Sequence, residues 1–407
     1  MRVRSITYFC NPGWPLNDSI IEQAGEFLAE AKAAYEASGY QVQSTRLATV
    51  PFMEILGADR VAETPQLAEQ MSAAIQAAGI AYAALGPAQP EALDSYAVIP
   101  EAIAAAQNIF FSGTMADARF GISLPAVQAC AEVITHCATI TPDGFANLRF
   151  AALANVKPGS PFFPAAYHNQ DEPAFSIATE AADLAVKAFG SARTITDGQW
   201  TLASEIEKRA KELALVGDAL NHRFSIVFGG IDFSLAPFPD EGVSIGAAMQ
   251  RMGVPRAGLH GSLAAAAILT EIIERARFPG TGFNGLMLPV LEDSVLAGRA
   301  ADGTLTVKDL LLYSAVCGTG LDTVPLPGDT SAEQIAALLL DLSALALRLD
   351  KPLTARLMPI PGKKAGDPTN FNFDYFANSR VMGLEAEPLQ PPLSETRRFT
   401  LASRHFH

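Results

Sequence analysis

Basic residues are scarce in this chain. Its 29 Lys and Arg stand against 43 Asp and Glu, for a formal net charge of −14. Phosphate backbones and anionic membrane surfaces are held by clustered Lys and Arg. No basic stripe is present, so the expected partners include neither nucleic acid nor membrane. Cysteine is scarce as well. Cys10, Cys130, Cys137 and Cys317 show neither C-x-x-C spacing nor His at zinc-finger distances. No disulfide framework is implied, which fits a reducing compartment. The opening Met-Arg-Val-Arg leads into a strand-like segment ending at Cys10 rather than an apolar stretch of signal-peptide length. The most apolar helical candidate, Ile335 to Leu349, is broken by Asp341 and Arg348 and falls short of the roughly 20 residues a membrane span needs. A cytoplasmic protein is expected.

What the chain does hold is apolar mass: 49% of its 407 residues are hydrophobic and only 18% charged, ample for a large core. Short apolar runs alternate with longer Ala-rich periodic segments. The runs are Val3–Phe9, Ile80–Leu85, Asn108–Phe111, Phe150–Ala154, Phe175–Ala178, Phe224–Phe228, Gly285–Val290 and Leu353–Pro359. Several are continuously apolar, as in strands buried on both faces. Helix ends are readable between them. Thr64-Pro65 opens a helix that Gly79 stops, and Asp18 can cap one ending near Gly39. Thr306 with Asp309 and Thr330 with Glu333 read as capping boxes, and Gly190 and Gly253 as C-terminal glycines. The alternation predicts an α/β fold with a mainly parallel sheet under Ala-rich helices. Eight to ten strands suit a closed barrel better than an open sheet. Residues 1–387 are expected to form a single domain. Residues 388–407, with Pro391-Pro392, Arg397, Arg398, His405 and His407, are expected to form a peripheral, partly disordered tail.

Ligands of parallel α/β folds sit beyond the carboxyl ends of the strands, so polar residues there are the site candidates. Gly229-Gly230-Ile231-Asp232-Phe233-Ser234 follows one strand, with Asp232 and Ser234 offering an acceptor and a hydroxyl, or merely shaping a turn. Gly258-Leu259-His260-Gly261-Ser262 opens a helix. There His260 could shuttle protons and Ser262 could help hold an anion at the helix N-terminus, unless His260 only braces a loop. Glu292-Asp293 could bind a divalent metal or act as acid and base, or cap a helix. Cys317, before Gly318-Thr319-Gly320-Leu321-Asp322, could be a nucleophile or inert filler. Pro161–His168 is an aromatic, proline-fixed loop. Its His168 is a second proton carrier and Tyr167 a lid residue, or the loop simply covers the end of the sheet. Arg356 and Lys364 could receive a carboxylate or phosphate.

The same segments carry a family resemblance. Gly230 to Pro237, Gly258-Leu259-His260-Gly261, Pro289 to Asp293, Cys317 with Gly320-Leu321-Asp322, and Pro361 to Asp367 follow the order and spacing of the uncharacterised "PFL-like" family, domain of unknown function seven-eleven. The fit runs from about Phe150 to Lys364, with Arg4-Ser5-Ile6-Thr7 and Ser112-Gly113-Thr114 adding to it upstream. The resemblance implies a ten-stranded α/β barrel like that of pyruvate formate-lyase, and a small ACT-domain protein as partner. It brings architecture and not chemistry. Ser379-Arg380-Val381-Met382-Gly383-Leu384 also resembles a glycyl-radical motif, with Met and Leu in place of the small residue and aromatic.

Three readings of function follow. The first is an enzyme acting on a small anionic metabolite, with a metal as a further option. Asp232, His260, Glu292, Cys317 and His168 would carry its chemistry, and Ser234, Ser262, Asp322, Arg356 and Lys364 would hold the substrate. The second is a ligand-sensing protein working with an ACT-domain partner. The third is radical chemistry through Cys317 and Gly383. A homodimer is the expected assembly.

Overall fold

The computed structural model describes residues 1–170 and 172–404; His405 and His407 of the expected tail lie outside them. Its strands are β1 (Arg2–Cys10), β2 (Thr45–Pro51), β3 (Tyr82–Ala88), β4 (Ile109–Asp117), β5 (Gly121–Ser123), β6 (Phe150–Ala154), β7 (Ala174–Glu180), β8 (Val227–Asp232), β9 (Gly320–Pro327), β10 (Leu353–Ile360) and β11 (Arg398–Phe399). All belong to one eleven-stranded sheet. Its main path runs β8-β7-β1-β2-β3-β4-β6-β10-β9, with β5 and β11 appended beside β4. Five strands, β1, β2, β3, β4 and β6, are parallel to one another. β7 and β10 flank that block antiparallel to it, and each carries a parallel outer neighbour, β8 or β9. Cys10, Cys130, Cys137 and Cys317 are free and buried. Among the described residues, no helix is long and apolar enough to cross a membrane.

The path ends on β8 and β9, so the hydrogen-bonded ladder is open where a closed ten-stranded barrel was expected. The run Gly285–Val290, read as a strand in the sequence, lies between those two ends. It makes single bridges to Leu235, just beyond β8, through Leu286, and to Asp322 of β9 through Pro289. Their backbone bonds are Leu235 N–H to the Gly285 carbonyl (3.1 Å) and Val290 N–H to the Asp322 carbonyl (3.1 Å).

Local chemistry accounts for most element boundaries. Pro65 sits in the first turn of the helix Thr64–Ala77, and Thr306 with Asp309 makes a reciprocal capping box. Other expected boundaries move. Asn17, rather than Asp18, caps the first helix. Ser331 with Gln334, one residue beyond Thr330 and Glu333, caps the helix Ala332–Arg348. Gly190 lies inside the helix Ala182–Ser191. The 30-residue helix Ile195–Phe224 absorbs Phe224, so β8 starts at Val227. Four strands escape the apolar-run reading altogether: the short β5 and β11, β2, which opens with Thr45-Arg46, and β9, which carries Asp322 and two prolines. Within the tail, Arg398–Phe399 pairs antiparallel with Ile122–Ser123.

The sheet has two differently packed faces. One lies under the helices, in a large cluster that includes Val3, Ile6, Leu321 and Val324. The other receives the connection after β6. Phe163 and Ala166 of that connection pack on Phe9, Ala48, Ala84 and Phe110, and Phe162 and Ala165 pack on Ala151 and Leu153. This loop anchors to the sheet through the Thr7 hydroxyl, which donates to the Pro161 carbonyl (3.4 Å).

Candidate functional site

Two irregularities in the sheet aim charged side chains at the loop-covered face. In a regular strand alternate residues face the same way. Val3 and Ile6 both belong to the helix-side core, although they are three residues apart. The β1–β7 register slips between Val3 and Ser5, which makes Arg4 the extra residue of a bulge. Leu321 and Val324 repeat the pattern on β9. There the register with β10 slips between Ala355 and Leu357, and Thr323 takes a φ of +44°. Bulges of this kind redirect a side chain. Here they deliver Arg4 and Asp322.

These groups build an ion-pair cluster with Arg356 at its centre. Arg356 Nε donates to Asp322 Oδ1 at 2.6 Å and its Nη2 to Glu292 Oε1 at 2.8 Å. Arg4 Nη2 donates to the second oxygen, Glu292 Oε2. Arg356, Glu292 and Asp322 are all buried. Burial alone would raise the Glu292 pKa, but the guanidiniums of Arg4 and Arg356 outweigh it and hold the carboxyl below its usual range. Asp322 lies above the usual range, because burial and the nearby Glu292 charge oppose its single arginine.

Arg4, Arg356 and Glu292 line a cavity of about 430 Å³. A third arginine, Arg46, enters it from the start of β2. Arg46 Nε donates to Ser44 Oγ at 2.9 Å, and its guanidinium carbon lies 5.0 Å from the centre of the Phe163 ring. Among the described residues, no carboxylate forms an ion pair with it. Burial and the neighbouring charge of Arg4 both depress its pKa, so its charge is the least compensated in the cluster. Within this cluster three guanidiniums (Arg4, Arg46, Arg356) face two carboxylates (Glu292, Asp322), leaving one positive charge in excess; a fourth arginine, Arg149, also lines the cavity, its Nη1 donating to the Ile103 (2.7 Å) and Ala106 carbonyls. The remaining walls combine aromatic rings, including Tyr82, Phe110, Phe162, Phe373 and Tyr375, with small aliphatic and polar side chains.

The cavity's place in the sheet departs from the expectation. Arg4, Arg46, Tyr82 and Phe110 stand at the N-terminal ends of the central parallel strands rather than beyond their carboxyl ends. Of the residues expected at the site, the structure brings together Glu292, Asp322 and Arg356. Asp232 and Ser234 are buried nearby in a structural knot. Asp232 accepts from Ser234 Oγ, from Phe283 N–H (3.1 Å) and from Asn284 N–H (3.1 Å), and Ser234 Oγ accepts from Gly285 N–H (3.3 Å). Burial raises the Asp232 pKa.

The other candidates lie elsewhere. Asp293 accepts from five donors, namely Ser244 Oγ and the N–H groups of Ile245, Gly246, Val295 and Leu296. It therefore ties together the starts of helices Ile245–Arg251 and Ser294–Ala301. With Asp293 saturated and both Glu292 oxygens on arginines, this acidic pair is not arranged as a metal site. Among the described residues no group of three or more His, Cys, Asp or Glu could hold a metal ion. His260 is exposed in a turn and follows no strand. Ser262 is buried, its Oγ accepting from Gly258 N–H (2.9 Å). His168 sits at the other end of the strands: its N–H donates to the Thr49 carbonyl, its Nε2 lies 3.0 Å from the Glu172 carbonyl oxygen, and its ring packs near Phe9. Tyr167 donates its hydroxyl to the Val156 carbonyl (3.0 Å) within its own loop, which is not a lid contact. Cys317 is fully buried, its sulfur accepting from Gly320 N–H (3.4 Å). Gly383 lines a separate groove that Cys317 does not reach. Lys364 is exposed in the turn closed by Asp367.

Arg46, Tyr82, Phe373 and Tyr375 escape the motif reading; Arg4 enters it only through the family resemblance, and Phe162 and Phe163 only as part of the aromatic loop. The usable signal was an arginine placed early in an otherwise apolar strand of a chain poor in basic residues, because a buried cation needs a partner.

Fold and cavity together define an α/β protein with an arginine-based, aromatic-walled pocket at one end of its sheet. The chain belongs to the family described as Uncharacterised ACR (DUF711), which matches residues 1–375. It is similar to a UPF0210 protein of Methanopyrus kandleri, at 30% identity over 86% of this chain and 82% of that relative. A UPF0210 protein of Pyrobaculum aerophilum is 37% identical over 61% of this chain and 56% of its own length. One of Neisseria meningitidis is 28% identical over 85% and 80%.

Proposed function

We propose that this protein binds a small anionic metabolite in the cavity, with Arg46 as its anchor. The observation that carries the reading is the guanidinium of Arg46, which has no carboxylate partner among the described residues and stands beside a cluster whose own two arginines and two carboxylates balance, within a chain of net charge −14. Arg46 is half-buried; a cation partly withdrawn from water without a counter-charge is costly, and an anion on Arg46 relieves that cost. Of the groups expected to move protons, Glu292 is the one that lines the cavity. Its arginines hold it ionised, which makes it a poor base at neutral pH. The arrangement therefore supports recognition of an anion more strongly than a proton-transfer step. The protein's place is in the cytoplasm on this reading, in line with four free cysteines.

Thermal unfolding against a panel of small carboxylates and phosphates tests the reading. A ligand at 100 times its Kd stabilises by about 2.7 kcal/mol. We expect at least one anion to raise the Tm of the wild type and not that of Arg46→Gln. If no anion does so, or if the shift survives the substitution, the reading is wrong. A sensing role with an ACT-domain partner predicts that adding the partner changes the same shift.

We propose further that the run Gly285–Val290 closes the sheet into the ten-stranded barrel implied by the family resemblance. The two bridges to Leu235 and Asp322 support this, as does the close approach of Gly285 to Gly318, where a Cβ on Gly285 would lie 2.3 Å from the Gly318 Cα. Slow hydrogen exchange at the Leu235 and Val290 amides is the expected result; fast exchange at both would refute closure.

A further inference from the structure

Arg46 stands at one end of an aromatic shelf. Its guanidinium lies over Phe163. Phe163 meets Phe110 edge to face with ring centres 5.4 Å apart, and Phe110 meets Tyr82 in the same way at 5.5 Å. All four side chains line the cavity, and Tyr82 is 37% exposed. The shelf thus leads from a half-buried cation toward solvent along one wall, and offers aromatic faces and edges to a flat apolar body.

The surroundings decide which anion fits. Phosphate sites commonly draw on several backbone N–H groups at a helix N-terminus or in a backbone nest. This cavity lies at the N-terminal ends of β2, β3 and β4, so the helices leading into those strands, Asp18–Ala37, Thr64–Ala77 and Ile99–Ala105, finish on this side. Helix ends of that kind present carbonyl groups and partial negative charge. Arg4 and Arg356 are already committed to Glu292 and Asp322, and Arg149, the other arginine of the lining, donates to the Ile103 and Ala106 carbonyls. What remains is the planar edge of one guanidinium, which matches one planar, singly charged carboxylate in a two-point contact.

We propose that the ligand is a monocarboxylate with a planar apolar body, its carboxylate on Arg46 and its body along Phe163, Phe110 and Tyr82. This rests on the anion-binding reading above and narrows it. The shelf gives a pocket built around charge one aromatic wall: the charge supplies orientation, and the apolar contact supplies most of the buried surface.

Calorimetric titration of the full-length protein with benzoate, phenylacetate, acetate, phenyl phosphate and inorganic phosphate tests it. Phenylacetate or benzoate should bind at least ~10-fold more tightly than acetate and than phenyl phosphate, a gap of about 1.4 kcal/mol. Arg46→Gln should weaken the aromatic carboxylates by ~10-fold or more, as loss of a charged hydrogen-bonding partner does. Phe110→Leu should weaken them while leaving acetate little changed. Circular dichroism and thermal unfolding check that each variant folds. If Arg46→Gln does not fold, Arg46→Lys keeps the charge, loses the fork, and should still weaken binding several-fold. Phenyl phosphate binding as tightly as benzoate, and still dependent on Arg46, would overturn the carboxylate assignment and leave the anion site standing. Binding of every probe without dependence on residue 46, or no binding at all, would overturn both.

Discussion

Glu292 takes one guanidinium on each oxygen, Arg356 on Oε1 and Arg4 on Oε2. Glu292→Gln leaves the buried Arg356 and the half-buried Arg4 short of a counter-charge, so it should cost about 3–5 kcal/mol, as breaking a buried pair from one side does. Urea unfolding at pH 7 measures it. The pH dependence has a definite sign. The folded state lowers the Glu292 pKa, so its contribution is complete above the unfolded value of about 4.3. It is lost as pH falls below that value and through the folded one. The acid limb of the wild-type stability curve should therefore be steeper than that of Glu292→Gln. Asp293 makes the instructive contrast. It adjoins Glu292 in sequence, yet its five accepted hydrogen bonds are spent on two helix starts. Asp293→Ala should cost at least ~2 kcal/mol, about two N-caps, and leave anion affinity in the folded protein unchanged. The sequence showed both carboxylates, but their separate roles depend on which arginines and which helix ends the chain brings back to them.

Elements were legible where local pattern and tertiary context agreed. β6 is a continuous apolar run, and β1 and β10 are mostly apolar around Arg4 and Arg356; all three are legible close to their true limits. β2 and β9 are not, because the features that give the site its charge disguise the strand: Arg46 opens β2, and the Asp322–Thr323 bulge with two prolines interrupts β9. The bulges themselves have no sequence signature beyond a misplaced alternation, since Arg4 and Ser5 separate two outward residues only once the core is known. Glycine contacts mark a further element-scale constraint. Gly285 and Gly318 touch backbone to backbone, so Gly285→Ala should destabilise by about 1–3 kcal/mol, as overpacking does. It should also speed hydrogen exchange at the Gly318 amide, which donates to the Leu286 carbonyl at 2.8 Å. An unchanged exchange rate there would mean the segment has room to spare.

At the scale of the whole molecule, the α/β class followed from the alternation of runs and periodic segments, and the region of Glu292, Asp322 and Arg356 from polar residues collected in sequence. The end of the sheet that holds the cavity did not follow. β7, β8, β9 and β10 run against the central block, and no local pattern reports strand direction. Two oppositely directed sets place the ends of one beside the beginnings of the other. Arg4, Arg46 and Phe110 thereby meet Glu292 and Arg356 across a large sequence gap. An acidic chain with one electropositive cavity should also draw anions to that spot by a field that salt weakens.

Phenylglyoxal labelling, read by peptide mass spectrometry, tests the central claim directly, because the reagent attacks accessible guanidiniums that lack a carboxylate partner. Arg46 should label faster than Arg4 and Arg356, which share its cavity but are held by Glu292 and Asp322. Any anion that raises the Tm should protect it. Equal labelling of the three, or a bound anion that leaves Arg46 fully reactive, would contradict the assignment of Arg46 as the anchor.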